Sequence, residues 1–444
     1  MRRDNLLMFL AGAACMAILP AAGRMTQSNS AETYRQLDTL MNVFERVRAD
    51  YVEPVDDKTL IQGAINGMLT SLDPHSSFLD ARDFENMRNL TDGEYGGLGL
   101  TVTMEDGAVK IVAPTDDTPA ARAGLRAGDF ISHLDGQLIV GGTLNEAVDK
   151  MRGEPGTKIR LTIIRQGASK PFDVTLTREI VRIRPVRTEV KGNVGVVRIS
   201  TFNKQTGGDT RAALADLRRR IGPDLAGYVV DLRSNPGGLL DQAVEVADAF
   251  LERGEVVSQR GRHKGSIERY FARPGDDAQG KPVVVLVDEG SASAAEIVAA
   301  ALQDHRRAVV IGQRSFGKGS VQTVVQLSPD TALRLTTARY YTPSGRSVQE
   351  GGVEPDIAVP QLSDPDLKDR LRVRESDLRR HLINEIKLDE RELETDAKPD
   401  PRFAMTAEQV KKAGIEDYQL DYAVRMIARL GQATPGVSLA ARGG

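Results

Sequence analysis

The chain has 444 residues, more than one ordinary domain holds, so two or three domains are expected. Its apolar fraction of 40% and charged fraction of 27% are typical of a globular protein. A net charge of −3 argues against nucleic acid as the main partner, because phosphate binding needs a basic surface. A protein or a small molecule is therefore the expected partner.

The first 26 residues form a predicted targeting segment. Two arginines precede an uncharged stretch, Asn5–Gly23, and a third arginine follows it. This pattern predicts export, here to the periplasm, either with cleavage near Ala21–Gly23 or with the stretch retained as an inner-membrane anchor. Both alternatives stay open. The only cysteine, Cys15, lies inside this segment, so the remaining chain can hold no disulfide.

Helices are predicted for the N-terminal region, residues 33–92. Apolar residues recur at spacings of three and four from Tyr34 to Leu72, in two successive helices. The segment Asp73–Ser77 then ends the pattern. His75 is interpreted as a turn residue, because the five histidines of the chain are scattered and show no metal-like spacing. No metal or organic cofactor is predicted.

Short strands with glycine turns are predicted across residues 93–178. The elements are a hairpin of Leu98–Val102 and Val109–Val112, a one-turn helix Pro119–Ala123, a strand Asp129–Leu134, a helix capped by Thr143, and a strand Lys158–Arg165.

This order resembles a PDZ domain, specifically the circularly permuted kind found in bacterial proteases. The resemblance implies that Gly97, Leu98, Gly99 and Leu100 form the loop whose backbone N–H groups bind a peptide carboxylate. A small β-rich module without a peptide site is the alternative.

Strands and helices alternate across residues 179–360, which predicts a layered α/β domain. The strands are Val194–Ser200, Gly227–Leu232, Val283–Val287 and Ala308–Ile311, the helices are Thr210–Ile221, 240–251 and Ala294–Leu302, and Val321–Leu327 and Leu333–Tyr341 form an added antiparallel pair. The charged remainder, residues 361–444, contains one predicted helix, Ala407–Leu430, and a disordered tail.

Ser293 is a candidate nucleophile. It lies where a strand gives way to a helix, between the small residues Ala292 and Ala294, and the helix dipole favours negative charge there. The alternative is that Ser291 or Ser293 only caps the helix, which is a common role for serine. The chain contains no G-x-S-x-G motif, so a histidine triad on a nucleophile elbow is not predicted.

Lys318 stands between Gly317 and Gly319, where the backbone can bend sharply. A lysine acts as a general base only when its pKa falls from about 10.4 to about 7–8, which requires burial or positive neighbours. An exposed loop lysine is the plain alternative. The stretch Gly312–Lys318 also fits most of a phosphate-binding loop, but Gly319 replaces the required serine or threonine and a strand follows where a helix should begin.

A second glycine turn follows the strand that ends near Asp231. The sequence Asp231-Leu232-Arg233-Ser234-Asn235-Pro236-Gly237-Gly238 leads from this strand to a helix. Backbone N–H groups exposed at such a turn can stabilise an oxyanion, although glycine here could equally serve the geometry of the connection.

These segments together resemble the carboxyl-terminal processing peptidases, also called tail-specific proteases, from about residue 35 to residue 360. By this resemblance Ser293 is the nucleophile, Lys318 the general base and Gln322 the side chain that orients the lysine. The oxyanion donors are then the backbone N–H groups of Gly238 and Ala294. A multidomain α+β and α/β fold is implied, with a PDZ domain ahead of the α/β peptidase core and helical regions at both ends.

The resemblance implies a serine endopeptidase that acts on proteins presented by exposed C-terminal tails. A homo-oligomer, with a dimer favoured, and a separate adaptor protein are further implied partners. Arg152, at the end of the predicted PDZ helix, is our candidate for a regulatory residue that couples the PDZ domain to the core. The rival interpretation is a catalytically silent PDZ scaffold, which Ser293, Lys318 and Gln322 together argue against.

Overall fold

A computed structural model describes residues 31–363, 373–386 and 404–432, apart from the single residues 106, 116, 140, 142 and 264. The predicted targeting segment and the C-terminal tail lie outside the described residues. Within those residues, no helix is both long enough and apolar enough to cross a membrane. The chain divides between Leu72 and Asp73 into two compact units.

The first unit consists of two helices, as the apolar periodicity predicts. Helix α1 covers residues 31–50 and α2 covers Asp57–Thr70. The Asp56 carboxylate accepts a hydrogen bond from the Thr59 N–H at 3.0 Å and so caps α2. Apolar side chains such as Tyr34 and Met41 of α1 stay more than half exposed.

The second unit begins with elements that join the PDZ-like domain to the core. Strand β1 (Ser77–Leu79) and helix α3 (Ala81–Asp92) come first, and α3 ends at Gly93, whose φ is 69°. Strand β2 (Glu94–Gly97) then pairs antiparallel with β9 (Glu179–Arg182), on the far side of the PDZ-like domain in sequence. This two-stranded ladder carries the chain into the domain and out of it.

The PDZ-like domain lies between the strands of that ladder. Its elements are β3 (Leu100–Glu105), β4 (Ala108–Pro114), α4 (Pro119–Arg122), β5 (Phe130–Leu134), β6 (Gln137–Leu138), α5 (Leu144–Met151), β7 (Lys158–Ile164) and β8 (Phe172–Thr177). The antiparallel sheet has the order β3-β4-β5-β7-β8, with β6 beside β5. Thr143 caps α5 in a capping box with Glu146, as the sequence predicts. Buried Ile111, Ile131 and Leu161 form part of its core.

The core is a three-layer α/β domain. Its elements are β10 (Val186–Lys191), β11 (Val194–Ile199), α6 (Thr206–Ile221), β12 (Gly227–Asp231), α7 (Leu240–Asp248), β15 (Val283–Val287), α8 (Ala294–Asp304), β16 (Val309–Gly312) and β19 (Ile357–Ala358). The sheet has the order β10-β11-β12-β15-β16-β19, parallel except for β10. Strands β12 and β15 are buried along their whole length, as strands covered by helices on both faces should be.

Helices α6, α7 and α8 cover one face of this sheet, and the C-terminal helices cover the other. The prediction of one helix over Ala407–Leu430 is wrong. The chain instead forms Ala407–Lys412 and Tyr418–Gln432, because Gly414 takes a left-handed φ of 65° between them.

A second sheet lies beside the core. Strands β13 (Gly254–Gly261), β14 (Ile267–Ala272), β17 (Ser320–Gln326) and β18 (Ala332–Tyr341) build it together with β1, in the order β1-β18-β13-β14 with β17 beside β18. The antiparallel pair β17–β18 was predicted, whereas β13 and β14 were not. Strand β17 follows directly on the segment that contains Lys318.

Candidate active site

Ser293 lies at the junction of β15 and α8, as predicted, and its backbone is strained. Its φ of 56° and ψ of −113° are values that few residues other than glycine adopt. The hydroxyl of Tyr340 contacts the Ser293 side chain. The neighbouring Ser291 does a different task, since its hydroxyl donates to the Leu232 carbonyl at 2.9 Å and accepts from the Asp288 N–H at 2.9 Å.

Lys318 lies in a tight segment whose glycines are both required. A Cβ on Gly317 would approach the Glu350 carbonyl oxygen to 2.7 Å, and one on Gly319 would approach the Gln349 nitrogen to 2.8 Å. The two glycines thus allow the segment to pack against residues 349–350. Burial lowers the pKa of the Lys318 amine, while the charge of Glu375 partly opposes this effect.

Gln322 holds the Lys318 amine. Lys318 Nζ donates to Gln322 Oε1 at 2.6 Å. The other end of the amide is also occupied, because Gln322 Nε2 donates to Ser320 Oγ at 3.0 Å and to Thr336 Oγ1 at 3.3 Å. These two acceptors orient the amide so that its oxygen faces the lysine. The structure therefore brings Lys318 and Gln322 together in the way the resemblance implies.

Glu296 links the serine and lysine segments, and the sequence analysis assigned it no role. Its carboxylate accepts from the Ser293 N–H at 2.7 Å and from the Lys318 N–H at 2.9 Å. It also accepts from the Gly317 N–H at 2.8 Å and the Ser315 hydroxyl at 2.6 Å. The side chain is completely buried. A glutamate three residues after a helix N-cap is the sequence signal that could have found it.

Burial raises the pKa of Glu296 to about 7, even though all four hydrogen bonds favour the charged carboxylate. The free-energy cost of burying the charged carboxylate is therefore larger than the stabilisation that the four hydrogen bonds provide. Such a group is retained at a site where it fixes geometry, and Glu296 fixes the backbone of Ser293 relative to that of Lys318.

The glycine turn at Gly237-Gly238 lies against Ser293. A Cβ on Gly237 would come within 2.8 Å of the Ser293 Cβ and 2.9 Å of the Ala294 nitrogen. Gly238 has a φ of 145°, and the chain continues with the Leu239 N–H donating to the Phe202 carbonyl at 2.8 Å. Within the described parts of the chain, neither the Gly238 N–H nor the Ala294 N–H donates a hydrogen bond. Two free donors beside the serine are what an oxyanion requires.

The serine and the lysine are neighbours without being bonded. Glu296 and Tyr340 both contact the two segments, and the Tyr340 hydroxyl donates to the Lys318 carbonyl oxygen. Among the hydrogen bonds of the described residues, however, none joins Ser293 Oγ to Lys318 Nζ. The Lys318 amine instead donates its hydrogen bond to Gln322 Oε1.

Arg233 anchors the glycine turn to the C-terminal helix, a role that the sequence analysis did not predict. Its buried guanidinium donates to Asp231 at 2.8 Å, to Asp417 at 2.7 and 2.9 Å, and to Gln419 at 3.1 Å. The guanidinium lowers the pKa of Asp417 to about 2, against the opposing effect of burial. The charged C-terminal region thus supports the loop beside Ser293.

The predicted carboxylate-binding loop of the PDZ-like domain adopts a fixed conformation. Leu98 is buried in the domain core, and its carbonyl accepts from the Ala120 N–H at 3.0 Å. Gly99 has a φ of 76°, and a Cβ there would overlap Thr118 at 2.3 Å. Gly97 ends β2 and Leu100 begins β3. The N–H groups of Leu98 and Gly99 have no acceptor among the described residues and are free to bind a carboxylate.

Arg152 lies at the end of α5, as the sequence predicts. Its guanidinium donates to Asn86 of α3 and stacks over the Tyr95 ring at 5.3 Å. It therefore contacts the connection between the PDZ-like domain and the core, and the structure shows no bond from it to the catalytic candidates among the described residues.

The alternative of a phosphate-binding loop does not fit. Strand β16 does precede the Gly312–Lys318 stretch, but β17 follows it where a helix would have to begin. The Lys318 amine is held by a side-chain amide and does not point along a helix axis.

Three family profiles match the chain. Peptidase family S41 matches residues 193–359, the PDZ domain matches residues 110–165, and the activating protease CtpB N-terminal domain matches residues 16–83. The predicted carboxylate-binding loop precedes the PDZ match.

Relatives extend over most of the chain. The chain is 52% identical over 381 residues to the carboxy-terminal-processing protease of Bartonella bacilliformis, covering 85% of this chain and 88% of that protein. It is 33% identical to the carboxy-terminal processing protease CtpA of Bacillus subtilis, covering 78% and 74%. Identity to CtpB of the same organism is 35%, covering 77% and 71%.

Proposed function

Since this chain is a carboxy-terminal processing protease of the serine peptidase family S41, we propose that it cleaves exported proteins selected by their C-terminal tails, with Ser293 and Lys318 as catalytic pair. The observation that carries the proposal is the Glu296 carboxylate, which binds the backbone N–H groups of both residues. A scaffold without catalysis would have no use for this costly buried charge.

The reaction is acyl transfer. The neutral Lys318 amine accepts the Ser293 proton as Oγ attacks the scissile carbonyl, and the resulting oxyanion lies near the free N–H groups of Gly238 and Ala294. The intermediate collapses to an acyl-enzyme as the protonated lysine gives its proton to the leaving amine. Water, deprotonated by the same lysine, then releases the second product.

The Lys318 amine is suited to this task because its surroundings favour the neutral form. Burial lowers the pKa of Lys318, and Gln322 holds the amine without adding a charge. Activity should therefore rise with pH as the amine becomes neutral and then reach a plateau.

Substrate selection is assigned to the PDZ domain. The free Leu98 and Gly99 N–H groups bind the terminal carboxylate, and a peptide pairs with the free edge of β3. Amidating a substrate's C-terminus should slow cleavage without changing the cleaved bonds. Export, with the N-terminal segment either cleaved or retained as an inner-membrane anchor, a homo-oligomer and an adaptor protein complete the proposal as the sequence suggests it.

The test is cleavage of a loosely folded protein with an apolar C-terminal tail. Ser293→Ala and Lys318→Ala should each lower kcat by at least about a thousandfold, because the pair acts as one unit. Gln322→Ala should lower it less, since the amine survives without its orienting partner. Thermal unfolding should stay near wild type.

Ser169→Ala and Lys170→Ala are matched controls, because both residues lie exposed in the turn between β7 and β8. They should cleave at the wild-type rate. Near-wild-type turnover by Lys318→Ala at neutral pH would refute the serine–lysine assignment, and cleavage retained by Ser293→Ala would refute the proposed nucleophile.

A further inference from the structure

A buried acidic residue from the C-terminal segment lies beside the lysine. Glu375 begins the short turn Glu375–Asp377, and its side chain has no exposed surface. His75 Nε2 lies 2.9 and 2.8 Å from the two carboxylate oxygens of Glu375. His75 was interpreted as a turn residue from sequence. The structure adds a partner 300 residues away in the chain.

Glu375 is tied to both sides of Lys318. Its backbone N–H donates to the Phe316 carbonyl at 3.1 Å, two residues before the lysine. Its side chain accepts from Gln349 Nε2 at 3.1 Å, and Gln349 Oε1 accepts from the Gly319 N–H at 2.9 Å, directly after the lysine. The position of Glu375 and the position of the lysine backbone are therefore coupled.

The Glu375 charge also acts on the lysine amine. Among the charged neighbours of Lys318, Glu375 has the largest effect, and its carboxylate favours the protonated amine. The other charged groups facing Lys318 are Glu296 on α8, Arg334 on β18 and Asp73 before β1. His75 and Glu375 also face other charged and titratable groups. Asp73 accepts from the His75 N–H at 2.8 Å, and Arg334 donates to the His75 carbonyl at 3.1 Å. Lys318, His381 and Tyr340 respond to the Glu375 charge.

We propose that Glu375 and His75 are a positioning pair for the general base, in which the His75 ring, bound to both oxygens of the Glu375 carboxylate, determines how strongly that carboxylate holds Lys318 in its protonated form. Neither residue contacts the reacting atoms. The proposal rests on the proposed serine–lysine mechanism and adds a positioning pair to it.

The expected signs follow from the charges. Glu375→Gln removes the charge that stabilises the protonated amine, so the acidic limb of the kcat/KM profile should move to lower pH, by on the order of one unit. His75→Gln replaces the ring by an amide, which is a weaker hydrogen-bond donor to the carboxylate, so more of the Glu375 charge acts on the Lys318 amine. The limb should then move in the opposite direction, to higher pH.

His305→Gln is the matched control. The Nε2 of this histidine lies 2.7 Å from the Glu255 carbonyl oxygen, and neither residue is among the charges that act on Lys318. Its loss should leave the acidic limb of the kcat/KM profile at the wild-type pH. An acidic limb displaced equally in all three variants would mean that the substitutions disturb the site without specificity, which overturns the proposal.

A second measurement does not depend on turnover. In the Ser293→Ala background, the Lys318 side chain can be titrated by NMR of labelled lysine, with its signal identified by its loss in Lys318→Arg. Glu375→Gln should lower the titration midpoint and His75→Gln should raise it. If the enzyme is active but Glu375→Gln or His75→Gln leaves the NMR midpoint of Lys318 or the acidic limb of the kcat/KM profile unchanged, the positioning pair is refuted and the proposed function stands. A wild type no more active than Ser293→Ala overturns the proposed function.

Discussion

At the scale of single residues, the site depends on a carboxylate that does not react. Burying the Glu296 carboxylate is unfavourable, but its hydrogen bonds hold the backbone segments of Ser293 and Lys318, whose side chains carry the proposed chemistry. The strained Ser293 backbone is one consequence, since a φ of 56° persists only where surrounding bonds impose it. The proposed reactivity thus depends on a group that never touches the substrate.

Glu296 should make stability depend on pH. Its native pKa of about 7 is raised above the usual 4.5, so the folded state binds the proton more tightly than the unfolded state. This contribution is complete below pH 4.5 and is lost as pH rises through 7, amounting to about 3 kcal/mol. Glu296→Gln should abolish that part of the decline.

Guanidinium unfolding at pH 5 and pH 8 measures the effect, with exposed Glu53→Gln as the control that should follow the wild type. The Glu296→Gln enzyme should also lose at least about tenfold in kcat, because an amide places donors against the backbone N–H groups. An unchanged fall in stability between the two pH values would contradict a raised pKa at this position.

At the scale of elements, the C-terminal helix Tyr418–Gln432 is part of the support of the site. Arg233 joins the turn after β12 to Asp417, just before this helix, through buried bidentate bonds. A lysine keeps the charge but cannot reproduce the planar pattern of donors. Replacing Arg233 by lysine should therefore loosen the contact between the C-terminal helix and the turn after β12.

Arg233→Lys should lower the free energy of unfolding by about 3 kcal/mol and kcat/KM by at least tenfold, as expected when a buried ion pair is broken. Arg198→Lys is the matched control, because Arg198 binds the same Asp231 at 2.8 Å but is 46% exposed. It should cost less than about 1 kcal/mol. If Arg233→Lys and Arg198→Lys lowered the free energy of unfolding equally, Arg233 would not have this anchoring role.

The elements predicted well are those with a strong local pattern. Strand β15 was placed correctly because five consecutive apolar residues stand between Pro282 and Asp288, and Thr143 was identified as a cap from its local sequence. Strands β13 and β14 were missed because their exposed sides carry charged and polar residues without clear alternation. Strand β13 pairs with its neighbour β14 and also with β18, far along the chain.

The same distinction separates the predicted and the missed residues of the site. Ser293, Lys318 and Gln322 lie in short glycine- and alanine-rich motifs that the resemblance identifies. Glu375 and Arg233 instead act through partners that are distant in sequence, at 300 and 184 residues. Only the folded chain brings these pairs together, so no spacing rule could have found them.

At the scale of the whole molecule, β2 and β9 provide a natural point at which to remove the PDZ domain. Gly97 pairs with Glu179 at the end of that ladder, so a two-residue Asn-Gly turn can replace residues 98–178. We expect the shortened enzyme to lose its preference for free over amidated tails. We hypothesise that the PDZ domain gates the enzyme and restricts it until a substrate tail binds. On this gating hypothesis, cleavage of an untagged unfolded protein by the shortened enzyme should rise.

Gly99→Ala is the companion variant, since a Cβ there overlaps Thr118 while the domain itself remains. It should lose tail preference without the rise in rate. A shortened enzyme with reduced activity would show that the PDZ domain helps to organise the site. Unchanged rate and unchanged tail preference would refute the gating hypothesis.

The support of the site by the end of the chain also sets an order of events during biosynthesis. A ribosome delivers Ser293 and Lys318 before it delivers Glu375 and Asp417, which hold their segments in place. An unfinished chain therefore carries the reactive groups without their alignment. We therefore expect proteolysis to begin only after Asp417 has been synthesised, and chains that end before Glu375 to be inactive.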